Sequence, residues 1–374
     1  MNFKTRTQFL RTLGVEKPTV LIDTEKVKAN VIRMKNKADR SQVIFRPHFK
    51  THQSAAIGEI IKDLGIKTIT VSSLEMAQYF ADAGWVDITV AVPVNPLEII
   101  EIKKLSRNVN LSILVDHPDT IALLKDQLHS QVKVFIKIDV GYGRAGVPTT
   151  SFDLIEKMVR EISNCDHLFF QGLITHAGNT YTADSHKEIQ EIYQNSVRDL
   201  NQVRQRLKEK GFDNCLLSIG DTPACSIIDD FKDIDEIRPG NCVFYDLVQE
   251  NLGVCSANDI AVTVACPVIG KYPKRQELVI YGGAVHFSKD LIQLNDHKIF
   301  GYLAPIENKK WQGIDKNIYI YSLSQEHGIV KLPEKQFQEI NIGDILTFYP
   351  VHSCLTAHVH HYYLSLDGTE IPKM

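Results

Sequence analysis

Eight short apolar runs, most of them separated by amphipathic helical segments, leave this chain few folds to choose from. The runs are Val43–Phe45, Thr68–Val71, Ile88–Val92, Leu111–Val115, Val132–Ile138, Phe169–Ile174, Leu216–Ile219 and Cys242–Tyr245. Helical spacing marks Ser54–Leu64, Leu74–Ala83, Thr120–Leu128 and Ser151–Ile162, and the longest segment, Lys187–Lys210, is closed by Gly211 as its C′ residue. Upstream, Thr19–Asp23 reads as a strand. Thr24–Arg40 then sets Val27, Val31 and Met34 at helical spacing, with Thr24 or Asp23 as N-cap. Strands that alternate with helices form a parallel sheet with right-handed crossovers. Eight of them over roughly 210 residues predict an α/β fold of the (β/α)8, or TIM-barrel, kind, with an open doubly wound sheet as the alternative.

The polar residues favour the barrel. They collect just after the strands, at Arg46–His52, Ser72-Ser73, Pro93–Asn95, Asp116-His117, Asp139–Arg144, Thr175–Asn179, Ser218–Thr222 and Arg238–Asn241. In a barrel all these loops open on one rim, where such enzymes carry their chemistry. After Asp246 the texture changes. Ile260–Val268, Glu277–Tyr281, Ile318–Leu323, Ile345–Tyr349 and Tyr362–Leu366 follow as short strands without long helices, punctuated by Gly282-Gly283, Asn308 and Gly343-Asp344 as turns. The expected division is a barrel over 25–249 and a mostly β domain from 1–24 with 250–374.

Bulk properties narrow the partners. The 374 residues are 44% apolar and 23% charged with a net charge of −3, so neither nucleic acid nor a membrane surface is expected as partner. No run approaches the roughly 18 apolar residues of a membrane span, and Met1–Arg6 is not followed by the apolar block of a signal peptide. Seven scattered cysteines without a CxxC pair read as reduced thiols in a cytoplasm.

Three stretches carry chemistry. Arg46-Pro47-His48-Phe49-Lys50-Thr51-His52 follows the first barrel strand and sets a lysine among cationic side chains. Neighbouring positive charge favours the neutral amine that Schiff-base chemistry needs; a solvated basic turn is the plainer reading. Ser218-Ile219-Gly220-Asp221-Thr222-Pro223 and Pro239-Gly240-Asn241 follow strands seven and eight, and their small residues let backbone N–H groups converge on a phosphate, although either alone also reads as an ordinary tight turn. After strand five, the glycines around Arg144 bring a guanidinium toward the rim, where it could hold a carboxylate or a ring. His352-Ser353-Cys354 follows an apolar strand. On an extended chain its imidazole and thiol point the same way and could share a metal, zinc above all. His358 and His360 keep strand parity with Cys354 and are candidates for a third ligand, against the plainer reading as exposed sheet residues.

Pro47-His48-Phe49-Lys50-Thr51-His52 together with His352-Ser353-Cys354 resembles the PHxKTH and HxC motifs of the D-threonine aldolase and D-serine dehydratase family. The barrel, the early lysine, the late phosphate loops and the trailing β domain are similar to the alanine-racemase-like, fold-type III pyridoxal-phosphate enzymes. Pro18–Asp23, His176–Tyr181 and Ser324–Gly328 extend the likeness nearly end to end. The resemblance implies that Lys50 carries pyridoxal 5′-phosphate and that His176, Tyr181, Ser218, Thr222, Gly240 and Asn241 hold it, chiefly by its phosphate. Arg144 would lie near the pyridine ring or the substrate carboxylate, and His352 and Cys354 would bind a divalent metal, zinc with manganese as the alternative. In that family an Asp can replace the cysteine in aldolases, so Cys354 points to a D-serine dehydratase making a 2-oxo acid and ammonia. A D-threonine aldolase is the alternative; an amino-acid racemase and a non-catalytic pyridoxal-phosphate carrier are the more distant ones. By the same analogy the chain is a homodimer acting on a small D-amino acid.

Overall fold

Eight parallel strands build the unit formed by residues 32–50 and 61–240: β1 (Ile44–Phe45), β2 (Thr68–Val71), β3 (Asp87–Pro93), β4 (Asn110–Val115), β5 (Val132–Asp139), β6 (Leu168–Ile174), β7 (Leu216–Ile219) and β8 (Glu236–Ile237). This is the computed structural model of the chain, and it describes residues 3–294, 296–307 and 309–374. Hydrogen bonds run in the order β1-β8-β7-β6-β5-β4-β3-β2, and His48, just past β1, bridges in parallel to Thr70 of β2. The ring therefore closes as a barrel. The helices Leu74–Asp82, Pro118–Gln127, Phe152–Ser163 and His186–Glu209 lie where the periodicity predicts them. Phe152–Ser163 buries Phe152, Ile155, Met158, Val159 and Ile162, the apolar stripe a barrel helix needs. Ser73 and Ser185 cap their helices by accepting from Met76 N at 3.1 Å and Glu188 N at 3.2 Å.

The first seven strands match the sequence reading to within a residue at each end; the eighth does not. It is Glu236–Ile237, whereas Cys242–Tyr245 holds a 3-10 turn over Asn241–Val243 and a tyrosine at φ +48° that no strand accommodates. A two-residue strand that begins with a buried glutamate has no apolar signature. Its warrant is inside the barrel, where Arg46 donates to Glu236 Oε2 (2.6 Å) and to Asp87 Oδ1 (2.5 Å). Ser218 Oγ donates to Glu236 Oε1 and accepts from Arg238 Nε, each at 2.6 Å. Breaking such a buried pair on one side costs about 3–5 kcal/mol, because the other charge is left without a partner.

The second unit comprises residues 3–31, 51–60 and 241–374. Its nine-stranded sheet runs in the order 277–281, 327–331, 315–323, 301–303, 345–350, 262–272, 19–22, 362–365 and 370–372. Thr19–Ile22 pairs antiparallel with Val262–Tyr272 and parallel with Tyr362–Ser365. Val264, Cys266, Leu346 and Phe348 are buried on these strands. Gly343 makes its expected turn at φ +88°; Asn308 lies outside the described residues. Among the described residues no disulfide joins the cysteines, and no helix is long and apolar enough to cross a membrane.

Candidate active site

In the barrel unit, the candidate residues start from Phe49. Its ring packs edge-on against Phe80 at 4.8 Å and Trp85 at 5.0 Å, and its N–H donates to Thr70 O at 2.8 Å. His48 N donates to Pro239 O at 3.0 Å. The backbone leading to Lys50 is thus pinned to β2 and to the loop after β8, while the Lys50 side chain itself is exposed. The expected cationic neighbours of Lys50 are corrected. Arg46 turns into the barrel, where Glu236 and Asp87 neutralise it, and burial pushes His52 down to about 3, so that imidazole is uncharged.

Positive charge gathers from other residues. His176, on the loop after β6, is pushed down to about 3, chiefly by burial and then by the charges of Arg144, Lys137 and Lys50, against a hydrogen bond to Gly220 O. That bond is 2.5 Å from Nδ1. A carbonyl only accepts, so Nδ1 carries the proton and Nε2 keeps a lone pair. The Arg144 guanidinium lies over the Tyr142 ring at 5.2 Å, Tyr142 meets His176 edge-on at 6.1 Å, and His176 meets Tyr181 at 6.2 Å. Tyr181 Oη accepts from Thr222 N at 3.2 Å. Loops after β5, β6 and β7 therefore bring Arg144, His176, Tyr181 and Thr222 into one contact chain. Gly178 admits the Tyr142 ring, because a Cβ there would stand 2.4 Å from it. Asp139 Oδ1 holds the loop ahead of Arg144, accepting from Gly141, Tyr142 and Gly143 N at 3.0 Å each. Ser218 is placed differently: its hydroxyl serves Glu236 and Arg238 inside the barrel.

In the other unit, His352 and Cys354 come together by another route than strand alternation. His352 is the N-cap of a helix, Ser353–Val359, and Cys354 sits in that helix's first turn. Cys354 Sγ lies 3.2 Å from Thr51 Oγ1 and accepts from Asn241 Nδ2 at 3.7 Å. The same Asn241 amide donates to Asp246 Oδ2 (2.6 Å) and Ser353 Oγ (3.0 Å). Burial opposes charge on His352, but the hydrogen bond and charge of Cys354, then Asp246 and Asp290, outweigh it and raise the imidazole to about 10. Among the described residues no group of three or more metal-ligating side chains gathers, and the histidines expected as a third ligand have other duties. His358 Nδ1 pairs with Gln53 Nε2 at 3.1 Å, and His360 Nε2 with His286 O at 3.1 Å. His358 lies on the helix and His360 caps its end, so neither is an exposed sheet residue.

His52 makes a pH prediction. Its folded value lies far below the ordinary 6.5, so its contribution to stability is complete above pH 6.5 and is lost as pH falls toward 3. At pH 5 that loss is about 2 kcal/mol. Glutamine in its place does not titrate. The stability deficit of His52→Gln relative to wild type is expected to shrink by about that amount between pH 7.5 and pH 5, measured by urea unfolding. A deficit independent of pH would show that His52 is charged in the folded chain.

Three residues escaped the sequence reading. Lys137 on β5 is brought down to about 7, first by burial and then by Arg238 and Arg144, against Asp139 and Asp116. Arg238, also buried, comes down to about 10, with Glu236 opposing the cost of burial. Asp290 accepts from His352 Nδ1 at 2.6 Å. Lys137 sat inside an apolar strand run and Asp290 in a polar loop, with nothing local to mark either; Arg238 was noted only as part of a loop.

Comparison with known proteins agrees with this geometry. Residues 22–247 match the alanine racemase N-terminal domain and residues 261–366 the putative serine dehydratase domain. D-serine dehydratase of Dictyostelium discoideum is 30% identical over 91% of this chain and 90% of its own length. D-threonine aldolase of an Arthrobacter species is 23% identical over 92% and 88%. The solved D-threo-3-hydroxyaspartate dehydratase of Delftia sp. HT23 superposes with a TM-score of 0.88 at 26% identity, covering 97% of this chain and 98% of that one. With a racemase-type barrel, a serine-dehydratase domain and a lysine pinned at the barrel rim, the chain belongs to the D-threonine aldolase and D-serine dehydratase family of alanine-racemase-like, fold-type III pyridoxal-phosphate lyases.

Proposed function

We propose that the chain is a pyridoxal-phosphate- and zinc-dependent D-serine dehydratase, a cytoplasmic homodimer that converts D-serine to its 2-oxo acid and ammonia. In this reading residues 25–249 hold the cofactor, and 1–24 with 250–374 carry the metal pair. The observation that carries it is the His352–Cys354 pair: an imidazole and a sulfur in hydrogen-bond contact, with Asp290 accepting from the other imidazole nitrogen at 2.6 Å. A D-serine dehydratase 30% identical to this chain supports the same choice.

The residues present fit both groups. The charges of Arg144, Lys137 and Lys50 all bear on His176, and such a field suits a phosphate and a carboxylate. Asn179 Oδ1, on the same loop as His176, is buried without a hydrogen-bond partner and is ready to accept one. In the other unit, His352 and Cys354 offer one nitrogen and one sulfur donor, a set that suits zinc and would hold it. When bound, pyridoxal phosphate supplies an electron sink for Cα and zinc a Lewis acid for the β-hydroxyl.

The protein's part follows from its own groups. Lys50 would hold the cofactor and would take the Cα proton as general base, which requires the neutral amine. Arg144 holds the substrate carboxylate or ring edge from its stack on Tyr142. His176, kept neutral by burial, presents Nε2 as an acceptor. Thr51 Oγ1 shares a hydrogen bond with the Cys354 sulfur and Asn241 Nδ2 donates to it, and these contacts hold the sulfur in place.

The test is product analysis with D-serine, D-threonine and D-threo-3-hydroxyaspartate, each with and without chelator. We expect 2-oxo acid and ammonia from D-serine, lost on chelation and restored by zinc. Glycine with an aldehyde would instead make the chain an aldolase, and 2-oxo acid formation that survives chelation would remove the metal from the reaction.

A further inference from the structure

Asp290 is absent from every motif of the sequence reading, yet its carboxylate accepts from His352 Nδ1 at 2.6 Å. A carboxylate only accepts, so Nδ1 carries a proton toward Asp290 and Nε2 is the nitrogen left to face the Cys354 sulfur, which hydrogen-bonds to the same imidazole. A ring nitrogen that donates to a carboxylate fixes both the tautomer and the orientation of a metal-binding imidazole.

The segment that carries Asp290 is built to hold it still. Thr356 Oγ1 donates to Phe287 O at 2.9 Å, and His360 Nε2 pairs with His286 O at 3.1 Å. Together with the Asp290–His352 bond, these tie Ala284–Asp290 along the helix that bears Cys354. Beneath it lies the Ser324-Gln325-Glu326 turn, a motif that the proposed chemistry does not use. Its carbonyls accept from Ala284 N (2.8 Å), Val285 N (3.2 Å) and Gly282 N (2.9 Å). The approach is close enough that a Cβ on Gly283 would stand 2.3 Å from Gln325 O. Ser288 Oγ accepts from Asp290 N at 3.2 Å and completes the support.

We propose that Asp290 is a positioning residue for the metal pair: its carboxylate holds His352 in the tautomer and orientation that present Nε2 beside the Cys354 sulfur. The inference rests on the metal-dependent reading above. Asp290 touches neither substrate nor metal and acts through His352.

Zinc affinity of the chelator-stripped protein, measured by competition with a chromogenic chelator, tests it without recourse to activity. Asp290→Ala is expected to weaken zinc binding about 10- to 100-fold, the range for loss of such a partner. Asp290→Asn, which keeps an oxygen acceptor without the charge, should fall between Ala and wild type. In a His352→Ala background the Asp290→Ala change should have no further effect, because its route to the metal is gone. A merely structural role would lower the melting temperature and would weaken zinc binding equally in both backgrounds. Asp290→Ala with wild-type zinc affinity overturns the inference and leaves the metal-dependent reading standing. Wild-type protein that takes up no zinc overturns both.

Discussion

Lys50→Ala is expected to lose the visible absorbance of protein-bound pyridoxal phosphate and to lower turnover by about 10⁴-fold, the upper end for removal of a general base. Borohydride treatment of wild type should attach the cofactor's mass to the peptide containing Lys50 and leave the variant unlabelled. The variant should remain folded, because the anchors of this loop are Phe49 against Phe80 and Trp85 and the backbone bonds of His48 and Phe49, none of which uses the Lys50 side chain. An unchanged melting temperature with lost absorbance therefore assigns the lysine to chemistry. A labelled peptide elsewhere in the chain would sink the assignment.

Cys354→Ala should separate the two cofactors. Zinc content is expected to fall to background and dehydration of D-serine by about 10³-fold, since a Lewis acid on a leaving oxygen contributes several kcal/mol. The absorbance of bound pyridoxal phosphate should persist, because the residues proposed to bear on the phosphate and ring are Lys50, Arg144, His176, Tyr181 and Thr222. Asn241 keeps its bonds to Asp246 and Ser353, so only a small loss of stability is expected. Retained dehydration in metal-free protein would transfer the activation of the hydroxyl to another group.

Most of the barrel could be read along the chain because a strand buried on both faces is a local apolar run. β2 through β7 are legible from Val, Ile, Leu and Phe recurring in short blocks between segments of helical spacing, although polar residues such as Thr70, Lys137 and Ser218 lie within them. β8 could not be read that way. Glu236 is acceptable in a barrel interior only because Arg46, 190 residues earlier, meets it there. The same partnership changed the reading of the lysine loop, where Arg46 looked like a neighbour that raises the local positive charge and is instead neutralised inside the ring. Strand parity failed at His352 and Cys354 because the chain leaves the strand after Pro350 and enters a helix. The pair still converges, through an N-cap turn.

The order of residues by itself determined the barrel, the trailing β region, the candidate lysine and the His-x-Cys pair, since hydrophobic rhythm and motif spacing are properties of neighbouring positions. Tertiary structure alone decided which charges survive near the reactive groups. Lys137, Arg144 and Lys50 bear on His176, Arg46 and Arg238 are taken up by Glu236, and Asp290 fixes one nitrogen of His352. Such pairings set the electrostatics of a site, and they depend on distances across loops that no local pattern encodes.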